Sequence, residues 1–127
     1  MLTLRHIAVA AILAAGLTTT ASAHPKLVAA SPAANAAVSR PTRLSLQFSE
    51  RLVPKLSKAE LVMTGMPGMA AHPPMNMSGL KSAFSADGKT LVLTPSKPLP
   101  AGSYRVNWSA VAADTHRIQG SYNFSVK

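Results

Sequence analysis

The stretch from Met63 to Met77 reads MTGMPGMAAHPPMNM and contains every methionine of the 127-residue chain except Met1. A thioether sulfur is a soft, uncharged donor, so it suits Cu(I) far better than Zn(II), Mg(II) or Ca(II). A histidine in the same stretch adds an imidazole nitrogen, which also binds copper. The stretch therefore predicts a Cu(I) site. Its candidate ligands are Met63, Met66, Met69, His72, Met75 and Met77.

The methionine stretch is predicted to be a loop. Methionines at every third position can form one face of a helix, but Gly65, Pro67, Gly68, Pro73 and Pro74 interrupt this stretch. Proline removes helical hydrogen bonds and glycine adds backbone freedom. Two other uses of clustered methionine remain open, namely a docking surface for a protein partner and ordinary packing of irregular gaps. Spacing alone does not identify which of the six candidates bind.

A second group of potential ligands combines His24 with a motif near the end of the sequence. Cleavage after Ala23 would give His24 a free amine beside its imidazole, and these two nitrogens can chelate one ion. Pro25 has no N–H, so the next backbone amide cannot compete for the metal. Asp114 and His116 are two residues apart, and on extended chain they point the same way. An amine, two imidazoles and a carboxylate favour Cu(II) in a planar arrangement.

Met1 to Ala23 is predicted to be a cleaved secretory signal peptide. Arg5 provides the positive charge, residues 7–17 form an apolar run, and Ala21-Ser22-Ala23 is a small-residue cleavage site. Because this apolar run is short for a bilayer, we expect no stable membrane insertion. Residues 24–127 then form one domain that is long enough for a single hydrophobic core.

The composition excludes several functional classes. The chain has no cysteine, so it offers neither a disulfide nor the thiolate that a blue-copper site needs. The net charge is +9, but the basic residues are scattered and export makes nucleic acid an unlikely partner. Only four carboxylate side chains are present, and no Ser-His-Asp arrangement can be singled out.

Short alternating runs broken by proline, glycine and asparagine predict an all-β domain with little helix. Leu44, Leu46 and Phe48 alternate with polar residues, as a half-buried strand requires. The Asp87-Gly88 pair between two such runs predicts a hairpin. About seven strands at these spacings favour a Greek-key β-sandwich or barrel. Later runs predict two further inward faces, formed by Tyr104, Val106 and Trp108 and by Tyr122, Phe124 and Val126.

Residues 24–127 resemble the CopC-type periplasmic copper-resistance proteins. The resemblance is carried in family order by the His24-Pro25 start, LQFSE at 46–50, the methionine stretch, PLPAGSYRVNW at 98–108, ADTH at 113–116 and the closing GSYNFSVK. It implies a cupredoxin-like, immunoglobulin-like β-barrel that binds Cu(II) at one end and Cu(I) at the methionine loop.

By position, the resemblance implies that His24, Asp114 and His116 are Cu(II) ligands and that Glu50 is a nearby acidic residue. It also places Met63, Met66, Met69, His72 and Met75 in the Cu(I) loop, with Met77 as an addition. Arg117 stands where the family usually has proline, which changes the local turn and charge. The partners implied are an inner-membrane copper transporter and a periplasmic multicopper oxidase.

The sequence therefore favours a periplasmic copper carrier for resistance or homeostasis, without catalytic activity. One alternative is a histidine-brace copper oxygenase, because an N-terminal histidine chelate plus a second histidine also fits that site. Asp114 argues against it by filling the position that an oxidant needs, and aromatic residues make up only 5% of the chain. The other alternative is a methionine-rich structural or interaction sandwich that binds no metal.

Overall fold

The computed structural model describes Gly16, residues 24–69 and residues 72–127. Apart from Gly16, the predicted signal peptide lies outside the described residues. No helix in the described part of the chain has the length and hydropathy needed to cross a membrane. The described residues form nine strands and one 3-10 turn at Pro54–Leu56. The strands are β1 (Leu27–Ser31), β2 (Ala37–Val38), β3 (Leu44–Phe48), β4 (Lys58–Gly65), β5 (Met75–Asn76), β6 (Leu80–Phe84), β7 (Thr90–Pro95), β8 (Gly102–Val111) and β9 (Arg117–Val126).

These strands form two sheets that pack face to face. One sheet has the order β1-β3-β7-β6, and the other has the order β2-β9-β8-β4-β5. Neighbouring strands are antiparallel except for β2, which pairs with β9 in parallel. Seven of the strands have five or more residues, and β2 and β5 have two each. The predicted all-β Greek-key sandwich is confirmed.

The core lies between the two sheets and follows the predicted alternation. Leu44, Leu46 and Phe48 on β3 are buried, and polar residues between them face outward. Tyr104 stacks on Phe124 with ring centroids 5.4 Å apart. The Trp108 and Phe48 rings make a T-shaped contact with their centroids 5.1 Å apart. Trp108 also lies opposite Gly120, where any Cβ would collide with the indole. Period-two patterning therefore identified the inward faces correctly.

The predicted hairpin at Asp87-Gly88 is present between β6 and β7. The Gly88 N–H donates to the Ser85 carbonyl at 2.9 Å, and Gly88 adopts a left-handed backbone with φ of 70°. Ser85 Oγ and the Lys89 N–H both donate to Asp87 Oδ1, and these bonds hold the pKa of Asp87 below its ordinary value. A left-handed glycine and an acceptor side chain are the features that tight turns select.

Strand β8 runs the length of the sandwich and defines its two ends. We call the end where β8 begins at Gly102 and β4 finishes at Gly65 the methionine end. The opposite end, where β8 finishes at Val111 and β9 begins at Arg117, is the histidine end. At the usual rise per strand residue, β8 separates the two ends by about 30 Å.

Candidate metal centres

His24 is held at the histidine end by the residues that follow it. The Pro25 ring is fully buried. The Lys26 N–H donates to Ser49 Oγ at 2.9 Å, and the Ser49 N–H donates to the Lys26 carbonyl at 2.8 Å. These reciprocal bonds fasten the segment before β1 to the end of β3, so the His24 imidazole stands beside the turn between β8 and β9.

The turn between β8 and β9 presents Asp114 and His116. The Thr115 N–H donates to the Ala112 carbonyl at 2.9 Å, and Thr115 adopts a left-handed backbone with φ of 65°. This conformation is costly for a β-branched residue and persists only where the surrounding structure imposes it. Asp114 Oδ1 accepts the His116 N–H at 3.1 Å. The turn thereby leaves Asp114 Oδ2 free to face the imidazoles.

His24, Asp114 and His116 form the one cluster of three potential His, Cys, Asp or Glu ligands found among the described residues. Asp114 Oδ2 lies 3.0 Å from His24 Nδ1 and 3.3 Å from His116 Nδ1. With metal bonds of about 2.0 Å, adjacent donors of a square plane lie about 2.8 Å apart. A small contraction would therefore bring the three side chains onto one ion.

Access to this cluster is from the imidazole side. The two imidazole side chains are 51% and 71% exposed, whereas the Asp114 side chain is 19% exposed. The imidazole rings lie 5.1 Å apart between centroids and are tilted by 31°. An ion that approaches from solvent therefore meets the exposed imidazole nitrogens before the more buried carboxylate.

The segment between β3 and β4 forms hydrogen bonds with the last residue of β8, next to the turn that carries Asp114 and His116. Ser57 is buried, and its Oγ accepts the Val111 N–H at 3.0 Å and donates to the Val111 carbonyl at 3.3 Å. The Val53 N–H also donates to that carbonyl at 2.7 Å. Sequence analysis did not identify Ser57, because its partner is 54 positions away and a serine in an irregular segment carries no pattern.

Glu50 and Arg117 lie near the histidine end without joining the cluster. Glu50 follows β3 with a partly buried side chain and is not among the clustered ligands. Arg117 begins β9, and its guanidinium donates to Ser109 Oγ at 2.5 Å. This bond directs the Arg117 side chain onto β8. Asp114 and His116 remain together with arginine at position 117.

The methionine stretch is divided between the core and the surface. Met63 lies in β4 with its side chain buried in the core, and Met77 packs partly against that core. Met66, Met69 and Met75 are exposed by 39%, 51% and 51%. The predicted loop is therefore shorter than the stretch, because Met63 belongs to β4 and Met75 to β5.

Met66 and Met69 close a tight turn at the methionine end. The Met66 N–H donates to the Met69 carbonyl at 3.0 Å, and the reverse bond is 2.9 Å. Pro67 and Gly68 occupy the central positions, and Gly68 has φ of 77°. Proline followed by a left-handed glycine is typical of a type II turn. Residues paired across such a turn present their side chains on the same side, so the Met66 and Met69 side chains share one side of the turn.

The His72 ring has one nitrogen engaged and one without a partner. Nδ1 lies 2.8 Å from the Pro73 carbonyl, an acceptor, so Nδ1 carries the proton. Nε2 is buried and has no hydrogen-bond partner among the described residues. A buried acceptor nitrogen without a partner is unusual, and its lone pair suits a metal ion. The backbone N–H of His72 lies 3.5 Å from the Thr64 carbonyl near the end of β4, so the ring belongs to the methionine end and offers Nε2 as its coordinating nitrogen.

Comparison with known proteins gives a family match over nearly all of the described chain. The CopC domain family model matches residues 27–127. Copper resistance protein C of Xanthomonas campestris pv. juglandis is 51% identical over 129 residues, which cover 100% of both chains. The solved structure of PcoC, a methionine-rich copper resistance protein from Escherichia coli, is 50% identical with a TM-score of 0.75 and covers 83% of this chain and 100% of its own. The structure of CopC from Methylosinus trichosporium OB3b has 25% identity and a TM-score of 0.65, covering 82% and 94% of the two chains.

Proposed function

Because the chain belongs to the CopC domain family, we propose that it is a periplasmic copper carrier that serves copper resistance. It takes Cu(II) at the histidine end and Cu(I) at the methionine end. The observation that carries this proposal is the convergence of His24, Asp114 and His116 from distant parts of the chain. Likeness to Copper resistance protein C from two further organisms supports copper as the cargo.

At the histidine end, the donors suit Cu(II). Two imidazole nitrogens and one carboxylate oxygen already lie together. Removal of residues 1–23 adds the amine of His24 as a fourth donor, which forms a chelate ring with the imidazole of the same residue. Cu(II) prefers four nitrogen and oxygen donors in a tetragonal arrangement. The Asp114 carboxylate also offsets part of the ion's positive charge.

At the methionine end, the donors suit Cu(I). Met66, Met69 and Met75 expose their side chains, and His72 contributes the unpartnered Nε2. Uncharged thioethers hold Cu(I) without charge neutralisation and permit exchange of one ligand at a time. Met63 contributes chiefly to the core, because its side chain is buried. Met77 is a peripheral candidate, because its side chain packs partly against the core.

The second candidate function is a histidine-brace copper oxygenase. It is favoured by the placement of the His24 and His116 rings with centroids 5.1 Å apart. Against it, Asp114 Oδ2 faces both imidazoles and occupies the position that dioxygen or peroxide would need. We therefore propose a binding protein without catalysis. Sustained release of oxidised sugars from chitin or cellulose with peroxide would favour the oxygenase.

The carrier needs proteins that deliver and receive copper. The family resemblance suggests an inner-membrane copper transporter and a periplasmic multicopper oxidase as these partners. The two donor sets make the exchange depend on oxidation state, because nitrogen and oxygen ligands stabilise Cu(II) and sulfur ligands stabilise Cu(I). Reduction of the ion therefore weakens its hold at the histidine end and favours the methionine end.

A crossed pair of substitutions tests the two-site proposal. In the secreted form that begins at His24, His116→Ala should lower Cu(II) affinity by at least about tenfold and leave Cu(I) affinity unchanged. His72→Ala is the matched control and should have the opposite effect. Cu(II) binding is followed by electron paramagnetic resonance, and Cu(I) binding by anaerobic competition with a chromogenic chelator. The assignment would be contradicted if either variant lost both Cu(II) and Cu(I) affinity, or if either variant kept both affinities.

A further inference from the structure

The charged side chains are divided unevenly between the two halves of the sandwich, taken here as the parts on either side of the Val106–Asn107 bond of β8. All four carboxylate side chains of the chain lie in the histidine half. Glu50 follows β3, Glu60 pairs with Asn107, Asp87 lies in the β6–β7 turn and Asp114 lies in the β8–β9 turn. The methionine half therefore has cationic side chains without acidic ones.

The cationic residues of the methionine half other than Lys127 form what we call the cationic rim. Arg40 and Arg43 lie in the β2–β3 connection, Lys97 lies in the β7–β8 connection, and Lys81 and Arg105 lie on β6 and β8. All five side chains are exposed. None of them pairs with any of the four carboxylates, which are all within the described part of the chain. No carboxylate side chain therefore neutralises the positive charge of the rim.

An apolar groove lies in the methionine half, between the β5–β6 and β7–β8 connections. It has a volume of about 350 Å³, and Lys97 stands at its edge. The same half of the sandwich exposes the side chains of Met66, Met69 and Met75. Flexible methionine side chains adapt to differently shaped partners. The apolar groove lining consists of Met77, Leu80, Pro95, Pro98, Leu99 and Pro100.

We infer that the methionine end is a docking surface for the acidic face of a partner protein, with one apolar side chain of the partner seated in the groove. Positive charge at the same end as an apolar groove, with Lys97 at the edge of that groove, is complementary to a surface of that kind. A flat bilayer would neutralise the rim but would leave the concave groove unfilled. The methionine end also lacks the exposed tryptophan and tyrosine side chains that anchor proteins in the membrane interface, since the exposed large hydrophobic residues there are methionines.

This inference goes beyond copper binding, and its test uses the protein without metal. The probe is a short, fluorescently labelled, glutamate-rich peptide with one central leucine, and a second peptide carries glycine at that position. Binding is measured by fluorescence anisotropy at low ionic strength. The leucine peptide should bind more tightly than the glycine peptide, and added salt should weaken both.

Matched charge reversals locate the peptide site. Arg40→Glu, Arg43→Glu and Lys97→Glu together should reduce peptide affinity on the order of tenfold or more. Arg51→Glu, Lys55→Glu and Lys89→Glu make the same change in net charge at the histidine end and should reduce it much less. If the first variant unfolds, the corresponding glutamine substitutions at Arg40, Arg43 and Lys97 should give a smaller loss in the same direction.

Three results would overturn the inference. The first is an equal loss of peptide binding in the two charge-reversed variants, which would show attraction to net charge alone. The second is equal binding of the leucine and glycine peptides, which would remove the groove from the interface. The third is rim-dependent binding to phosphatidylglycerol vesicles with no peptide binding, which would assign the surface to a membrane. None of these results would alter the copper titrations.

Discussion

Met63 and Met69 have opposite environments although both fit the same three-residue spacing. Met63 is 5% exposed within the core, and Met69 is 51% exposed in the turn. We expect Met63→Ala to lower the free energy of unfolding by about 2–4 kcal/mol, because it leaves a cavity. Met69→Ala should change it by no more than about 0.5 kcal/mol. Urea denaturation measures both values, and equal costs would contradict the difference in burial.

Leucine variants at the same two positions separate packing from coordination. Leucine conserves the volume of methionine and removes only its sulfur. Met63→Leu should therefore keep Cu(I) affinity, whereas Met69→Leu should lower it. Anaerobic chelator competition measures the affinity of each folded variant. A fall for Met63→Leu alone would place the binding sulfur on β4 instead of in the turn.

The Tyr122 hydroxyl is buried without a hydrogen-bond partner among the described residues. Burial raises the pKa of Tyr122 to about 12. We expect Tyr122→Phe to increase the free energy of unfolding by about 1 kcal/mol near neutral pH, because the variant no longer desolvates a hydroxyl. Urea denaturation across a pH series measures this gain. A loss of stability would mean that the hydroxyl has a partner in solution.

Alkaline pH should widen the difference between the wild type and Tyr122→Phe. The unfolded chain releases the tyrosine proton near pH 10, while the folded protein keeps it until about pH 12. Between these values the unfolded state binds fewer protons than the folded state, so the free energy of unfolding of the wild type falls as pH rises above about 10. The variant lacks this loss. A constant difference across the window would contradict the raised pKa.

At the scale of elements, the segment between β3 and β4 holds the end of β8, just before the turn between β8 and β9, against the rest of the fold. Ser57 Oγ bonds to both the N–H and the carbonyl of Val111, and all of these groups are buried. We expect Ser57→Ala to lower the free energy of unfolding by about 1–3 kcal/mol, because it leaves a buried N–H without an acceptor. Ser82→Ala on the exposed edge strand β6 is the control and should cost no more than about 0.5 kcal/mol. Equal costs for the two variants would contradict a structural role for Ser57.

The elements also show which features a sequence can predict. Local alternation of apolar and polar residues predicts β3, as Leu44, Leu46 and Phe48 show. The backbone preference of the Asp87-Gly88 pair predicts a turn. Met63 carries no comparable signal, because its burial depends on strands that are distant in the sequence. The placement of His24 beside Asp114 was expected from donor chemistry and family resemblance. The bonds that achieve it, through Ser49 and Ser57, join segments too far apart for any local pattern.

At the scale of the whole molecule, the length of β8 separates the nitrogen and oxygen donors of the histidine end from the thioethers of the methionine end. The histidine end has nitrogen and oxygen donors and all the carboxylate side chains, and the methionine end has the exposed methionines and the cationic rim. The two groups share no ligand, and a packed core lies between them. Direct transfer of an ion across about 30 Å of packed core has no path of donors. Under the two-site proposal, each end therefore exchanges copper with its own surroundings.

This separation predicts that the two ends bind metal independently. Ag(I) is a soft ion like Cu(I) and does not change oxidation state, so it can fill the methionine end while Cu(II) is titrated. We expect Ag(I) to change Cu(II) affinity by less than about twofold, because coupling requires a structural element with two arrangements that both sites bias. Titration with and without Ag(I), followed by electron paramagnetic resonance, measures the effect. A change in Cu(II) affinity of about tenfold or more would show that the sheets transmit a rearrangement from one end to the other. The two sites would then be energetically coupled.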